Sequence, residues 1–162
     1  MQKILPIVAI VGQPNAGKST LLNKIIRKPL AVTSGVAGTT RDRQYVDTTW
    51  SGVDFTLVDT AGLSNEAKEG VSGTEAINSA RSLELSLLKQ IEVALEQADV
   101  VIFVADGKEP ANAVNVASIK KFRKNNKPLL LAVNKLDAAK LHDEKLLEFQ
   151  KLGIKNVFPV SS

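Results

Sequence analysis

The chain has 162 residues, of which 44% are hydrophobic, and its formal net charge at pH 7 is +4. This length suits one compact domain that buries a core without covalent cross-links. The absence of cysteine excludes disulfides and cysteine-ligated metal centres. No apolar run approaches the roughly 20 residues of a membrane span, and the first residues lack a signal-peptide pattern. These features predict a soluble cytoplasmic protein without a membrane partner.

Short apolar runs alternate with longer helix-like stretches along the chain. The strand-like runs are residues 4–11, 44–50, 53–58, 100–104, 129–133 and 157–160. The helix-like stretches cover about residues 19–27, 75–97, 112–124 and 138–151. This alternation predicts an α/β fold with a mostly parallel six-stranded sheet and helices on both faces. The turn-like pair Ser51 and Gly52 predicts a hairpin that places one antiparallel strand at the sheet edge.

The first motif, G-Q-P-N-A-G-K-S at residues 12–19, lies between the first predicted strand and the first predicted helix. This context is typical of a phosphate-binding P-loop. Its backbone amides would enclose a polyphosphate, Lys18 would bridge the terminal phosphates, and the Ser19 hydroxyl would ligate Mg²⁺. The predicted phosphate-binding residues are Gly12, Gln13, Pro14, Asn15, Ala16, Gly17, Lys18, Ser19 and Thr20.

A second motif, D-T-A-G at residues 59–62, follows the predicted strand at 53–58. Asp59 can hold Mg²⁺ through a water molecule, and the Gly62 amide can contact the γ-phosphate. The predicted nucleotide-binding residues of this segment are Asp59, Thr60, Ala61, Gly62 and Leu63.

The third motif comprises Asn134, Lys135, Leu136 and Asp137, again at a predicted strand end. A carboxylate at Asp137 can accept hydrogen bonds from N1 and N2 of guanine, a donor face that adenine lacks. The motif therefore favours GTP and GDP over ATP, and it disfavours an ATP-using P-loop enzyme such as a kinase.

The fourth candidate is the Gly- and Thr-rich stretch at residues 35–43. A threonine in such a loop can complete the Mg²⁺ shell when a triphosphate is bound. On the residues alone, Thr39 and Thr40 both fit this role.

Four segments, P-N-A-G-K-S-T-L-L-N, G-T-T-R-D-R, D-T-A-G-L and N-K-L-D, resemble the family of bacterial GTPases that includes Era, MnmE and EngA. The resemblance covers essentially the whole chain and implies a P-loop NTPase with the Ras-like G-domain fold. The segments T-R-D-R-Q-Y and W-S-G-V-D-F favour the first GTPase domain of EngA, also called Der. Ala61 departs from the usual D-T-G-G of that group, and D-T-A-G-L is common in MnmE.

The resemblance implies further roles and partners. Thr40 becomes the Mg²⁺ ligand, Asn15 a K⁺ ligand, and Ser161 and Ser162 the start of a motif that supports guanine. The chain, residues 1–162, would be a single GTPase domain excised from the N-terminal part of a longer protein. A second GTPase domain and a KH-like domain would follow. That protein would assemble the large ribosomal subunit, with rRNA as a partner.

Hydrolysis is expected to be slow, because Leu63 occupies the position where Ras-like enzymes carry a water-orienting glutamine. The predicted catalytic residues are Lys18, Thr40, Gly62 and Asn15, with K⁺ supplying charge near the phosphates. Two alternatives remain open: an MnmE-like domain for tRNA modification, and a guanine-nucleotide-binding module with negligible turnover.

Other residues receive structural interpretations. The lysine-rich stretch at 120–127 is read chiefly as a solvated helix face, with RNA contact as the alternative. Arg41 and Arg43 could reach phosphate or rRNA, although such loop arginines more often lie in solvent. Trp50 is expected to pack against the hairpin, and Phe103 and Phe122 to lie in or near the core.

Overall fold

A computed structural model describes residues 4–26, 45–60, 77–111, 113–136 and 139–161. Its strands are Ile7–Gly12 (β1), Tyr45–Trp50 (β2), Val53–Asp59 (β3), Val100–Asp106 (β4), Leu129–Asn134 (β5) and Val157–Val160 (β6). Its helices are Lys18–Ile26 (α1), Ile77–Gln97 (α2), Ala113–Lys124 (α3) and Ala139–Gln150 (α4). The predicted alternation of strands and helices is confirmed.

The first strand begins later than the sequence predicts, at Ile7 rather than at residue 4. Proline lacks a backbone N–H and cannot donate to a strand ladder. Pro6 contributes only its carbonyl oxygen, which accepts the Thr56 N–H at 2.9 Å. Ile4 is 95% exposed, so the chain before Pro6 has left the sheet.

The sheet has the strand order β2-β3-β1-β4-β5-β6. Neighbouring strands from β3 to β6 in this order pair in parallel, and β2 pairs antiparallel with β3. The predicted six-stranded sheet with one antiparallel edge strand is therefore confirmed. Parallel pairing brings the carboxyl ends of β1, β3, β4 and β5 to one edge of the sheet, where ligands bind in folds of this kind.

The β2–β3 hairpin turns through Ser51 and Gly52, as predicted. Both residues have positive φ angles, 49° and 80°, the combination that a two-residue type I′ turn requires. Trp50, which is expected to pack against the hairpin, pairs with Val53 across it and is 54% exposed. Trp50 is the last residue of an edge strand, so no further strand lies beside it to cover the indole ring.

Apolar side chains fill both faces of the sheet. On one face Phe103 packs with Phe122 of α3 and Phe149 of α4, and all three side chains are fully buried. This confirms the expected core positions of Phe103 and Phe122. On the other face, α1 packs against β1 and β3 around Ile10 and Leu57. Each such buried side chain contributes about 1.5–3 kcal/mol, which makes the sheet a rigid base for the loops at its edge.

None of the helices in the described ranges is both long enough and apolar enough to cross a membrane.

Candidate functional site

The predicted motifs converge at the carboxyl edge of the sheet. In the strand register Ile10 pairs with Asp59, Gly12 with Val104, and Asp106 with Asn134. Residues far apart in sequence therefore lie side by side, and each motif begins where its strand ends.

The P-loop is a tight turn between β1 and α1. Asn15 and Gly17 have positive φ angles of 63° and 93°. The Ala16 N–H donates to the Gln13 carbonyl at 3.3 Å. Asparagine adopts the left-handed region more readily than most residues, so Asn15 shapes this turn. A loop of this form turns successive amides towards one side, which together with the start of α1 makes an anion-binding concavity.

Gly12 is required at the start of the loop because β4 passes very close. A Cβ atom on Gly12 would lie 2.3 Å from the Val104 carbonyl oxygen, well inside any normal contact. The close approach places the P-loop directly over the ends of the central strands.

Lys18 lies beneath the loop, where a phosphate-binding lysine is expected. Its ammonium donates to the carbonyl oxygens of Gly12 at 2.8 Å and Gln13 at 2.7 Å, and the side chain is buried. Burial lowers the pKa of Lys18, and the nearby charge of Asp59 partly opposes that effect. An ammonium has three donors. Two position the side chain, and the third matches a phosphate oxygen.

The oxygen donors predicted for Mg²⁺ come from two adjacent elements. Ser19 is exposed in the first turn of α1, and Asp59 ends β3 beside β1. Hydroxyl and carboxylate oxygens are the ligands that Mg²⁺ accepts, usually together with phosphate oxygens. The side chains present thus fit the ion. Thr20, Pro14 and Asn15 are likewise exposed at this edge.

Thr60 follows Asp59 in the chain and is fully buried. Its buried hydroxyl donates to the Ile10 carbonyl at 2.5 Å. The Gln90 Oε1 atom of α2 lies 3.5 Å from this hydroxyl and accepts the Gly12 N–H at 3.4 Å. Gln90 was not predicted as a site residue. Its signal in the sequence was a polar residue on the apolar stripe of α2, which carries Leu87 and Ile91.

The third motif fixes the P-loop from the side of β5. The fully buried Asn134 donates through Nδ2 to the Ala16 carbonyl at 2.9 Å. Lys135, with a positive φ of 63°, donates through Nζ to the Asn15 carbonyl. Leu136 packs into the core. Asn134 and Lys135 therefore hold the loop against the sheet, a role that sequence reasoning did not assign to them.

Asp106, at the end of β4, is a second residue that the sequence analysis missed. Its carboxylate accepts Lys135 Nζ at 2.7 Å and the Lys108 N–H at 2.9 Å. Burial alone would raise the pKa of Asp106, but these hydrogen bonds and the two lysine charges outweigh it and lower the pKa. The carboxylate is thus held ionised, and it orients Lys135 towards the P-loop.

At the end of β6, Ser161 lies beside α1. Its carbonyl oxygen accepts a hydrogen bond from Lys24 Nζ. Several predicted residues lie outside the described ranges: Thr40, Ala61, Gly62, Leu63, Asp137 and Ser162, with Arg41 and Arg43. Their assignments stay predictions.

A braced P-loop after β1 of a mostly parallel sheet, with an aspartate at the end of β3 and an Asn-Lys pair at the end of β5, defines a P-loop GTPase domain of the Ras-like fold. A family model described as "50S ribosome-binding GTPase" matches residues 7–135. The chain belongs to this family, and the predicted GTPase class is confirmed.

Among curated relatives, the chain is 38% identical to GTPase Der of Finegoldia magna over 157 residues. It is 40% identical to GTPase Der of Flavobacterium johnsoniae over 156 residues. These matches cover 97% and 96% of the chain but only 33% of each relative. The chain therefore spans about a third of the length of these proteins. The predicted resemblance to the first GTPase domain of EngA, or Der, is confirmed.

Solved structures agree on the fold. An Era variant from Aquifex aeolicus bound to GDP and AlF4⁻ matches with a TM-score of 0.61 and 28% identity. That match covers 98% of this chain and 52% of the Era chain. Elongation factor SelB from Methanococcus maripaludis matches with a TM-score of 0.65 at 16% identity, over 99% of this chain and 30% of its own, and shows the fold alone.

Proposed function

We propose that the chain is the Mg²⁺-dependent, K⁺-stimulated GTP-binding and GTP-hydrolysing switch domain of a ribosome-assembly GTPase. The observation that carries the proposal is the P-loop held from both sides. Lys18 binds its carbonyls from below, and Asn134 with Lys135 binds them from β5. A loop held in this way has its amides oriented before the polyphosphate arrives, which reduces the cost of binding.

In the proposed complex, the P-loop amides and the third Lys18 donor bind the phosphate oxygens. Ser19, Thr40 and, through water, Asp59 would hold Mg²⁺, which neutralises developing charge on the phosphates. Asp137 would accept the guanine donors, with Ser161 and Ser162 completing the base pocket. Each phosphate charge near Lys18 favours its ammonium form, so nucleotide binding would reverse the lowering of its pKa that burial causes.

Hydrolysis in this proposal relies on charge rather than on a water-orienting side chain, since Leu63 cannot hydrogen-bond. Asn15 would hold K⁺ close to the phosphates and so supply positive charge there. The backbone conformation of Asn15 decides which substitution tests its role as a K⁺ ligand. Asn15 has a positive φ, so Asn15→Ala would add backbone strain to the loss of the side-chain oxygen. Asn15→Gly removes the oxygen without strain, and it leaves the backbone carbonyl that accepts from Lys135.

The experiment measures GTP hydrolysis with Mg²⁺ in matched K⁺ and Na⁺ buffers, with ATP as a control nucleotide. Wild type should be faster in K⁺, Asn15→Gly should give equal rates in both salts, and both proteins should bind GDP with similar affinity. Equal, near-zero rates for wild type in both salts, despite tight GDP binding, would support a nucleotide-binding module with negligible turnover instead.

We propose further that the domain belongs to a longer cytoplasmic protein acting on the large ribosomal subunit. The family description and the Der relatives support this role, and their greater length fits a second GTPase domain and a KH-like domain. Co-sedimentation of the full-length protein with purified 50S subunits tests it. Binding should be stronger with a non-hydrolysable GTP analogue than with GDP. Equal absence of binding with both nucleotides would contradict the proposal.

A further inference from the structure

A group of basic side chains lies at the edge of the sheet opposite the P-loop. This amino edge contains the end of α3, the loop before β5 and the connection from α4 to β6. Backbone hydrogen bonds join these segments there, from Val101 N to Pro128 O and from Leu131 N to Asn156 O. The group, called here the basal basic surface, consists of Lys120, Arg123, Lys124, Lys127, Lys151 and Lys155.

Hydrogen bonding between α3 and the α4–β6 connection brings this group together. Arg123 donates to the Leu152 carbonyl oxygen at 3.4 Å, which places its guanidinium against the turn between Lys151 and Lys155. Lys120 and Lys124 lie one helical turn apart and share a face of α3. The positive charges of the surface therefore converge from two elements that are separate in sequence.

Among the described side chains, none of these charges forms an ion pair with a carboxylate. The ion pairs found there involve Lys121, Lys135 and Lys145, none of which belongs to the basal basic surface. Arg123 and Lys127 donate to backbone carbonyls, Lys127 to Ala98 at 2.6 Å. The charge of Lys151 is felt by Glu148, but that carboxylate already accepts hydrogen bonds from the Ala111 N–H and from Lys145.

We propose that the basal basic surface binds the phosphate backbone of folded RNA. Lysine and arginine side chains that gather on one surface without forming ion pairs are the electrostatic signature of nucleic-acid binding. The choice of RNA as the polyanion rests on the proposed ribosomal function, whereas the polyanion site itself rests on the charges alone.

The uncharged residues around the surface favour RNA over two other partners, a membrane and a second protein. Within 120–128 and 150–156, the exposed side chains are basic or carry amides, apart from Pro128, and the nearest large exposed apolar side chains, Leu147 and Phe158, are single residues outside these ranges. A membrane-binding surface needs apolar anchors beside its charges, and the centre of a protein–protein interface is enriched in aromatic and apolar side chains. Phosphate binding needs neither. It also predicts binding with little sequence preference, because phosphates carry no base information.

The position of the surface has a functional consequence. The P-loop follows the carboxyl ends of the strands, and the basal basic surface adjoins their amino ends, about 20 Å away for a strand of this length. RNA and guanine nucleotide therefore do not compete for one site, and the domain binds both at once.

The test measures binding of a fluorescein-labelled RNA hairpin by anisotropy across a range of KCl concentrations. Lys124→Gln with Lys155→Gln removes two charges from the surface, and neither side chain makes a hydrogen bond to the described backbone. Lys89→Gln with Lys145→Gln removes two charges outside this surface and is the control for net charge, although among the described side chains Lys145, unlike the other three lysines, is ion-paired with Glu148.

The surface variant should bind RNA at least tenfold more weakly at low salt. The slope of log affinity against log salt should become shallower by about 0.7–0.9 for each phosphate that the variant no longer neutralises. The control should keep the wild-type slope. Equal weakening in both variants would show a general charge effect and overturn the proposal, as would wild type that binds anionic lipid vesicles but not RNA.

Fluorescent GDP binding, measured on the same samples, separates this inference from the proposed function. Both variants should bind GDP as wild type does. If the protein binds RNA through the surface but binds no guanine nucleotide, the proposed function is refuted and the RNA-binding role of the surface stands. Normal GDP binding without RNA binding would refute only the proposed RNA-binding role of the basal basic surface.

Discussion

Replacing Asn134 by alanine should both destabilise the domain and weaken nucleotide binding. The Asn134 side chain is fully buried and donates to the Ala16 carbonyl at 2.9 Å. Without it, that carbonyl loses its partner in a buried site, which costs about 1–3 kcal/mol. For a domain of this size, each kcal/mol shifts the melting temperature by about 2–4 °C, so we expect a fall of about 2–12 °C.

The matched control is Thr48→Val, because Thr48 is equally buried but its hydroxyl has no hydrogen-bond partner among the described residues. Valine has nearly the same shape, and it removes a polar group whose burial is not compensated. We expect the free energy of unfolding to stay constant or to rise by about 1 kcal/mol. The two variants thus separate the loss of a satisfied buried group from the loss of an unsatisfied one.

Urea unfolding of both variants measures the stability change, and titration with fluorescent GDP measures the P-loop effect. Asn134→Ala should bind GDP at least tenfold more weakly, which corresponds to about 1.4 kcal/mol, whereas Thr48→Val should bind normally. An Asn134→Ala protein within about 0.5 kcal/mol of wild type, with unchanged GDP affinity, would refute the assignment of Asn134 as a brace of the P-loop.

The Asp106–Lys135 pair predicts a pH effect. The folded-state pKa of Asp106 is lowered, so its stabilisation is fully present above the ordinary aspartate pKa of about 3.9 and is lost as pH falls through the folded value. The stabilities of wild type and Asp106→Asn should therefore differ at neutral pH and converge in acid, and a pH-independent difference would contradict the pair. Gly12→Ala places a Cβ 2.3 Å from the Val104 oxygen and should cost more than about 3 kcal/mol. Gly52→Ala meets no atom within 4 Å and should cost only about 1–2 kcal/mol from its positive φ. If urea unfolding gave Gly12→Ala and Gly52→Ala similar losses of stability, β4 would not constrain the P-loop.

Local sequence determined the framework of this protein. The alternation of apolar runs with helical stretches predicted the element order, and Ser51 with Gly52 marked the hairpin. The P-loop was recognisable because its glycines, which shape the backbone, and the functional side chains of Lys18 and Ser19 lie within a few residues of one another. Such signals survive without tertiary information, since hydrophobic period and turn chemistry are set locally.

Tertiary structure decided how the motifs touch one another. Gln90 reaches Gly12 across 78 residues of sequence, and Asn134 reaches Ala16 across 118. Nothing near Asp106 in the sequence indicates that it orients Lys135, because that pair forms only when β4 and β5 lie side by side. The exposure of Trp50 likewise depends on tertiary structure, because β2 lies at the edge of the sheet and has a neighbouring strand on one side only.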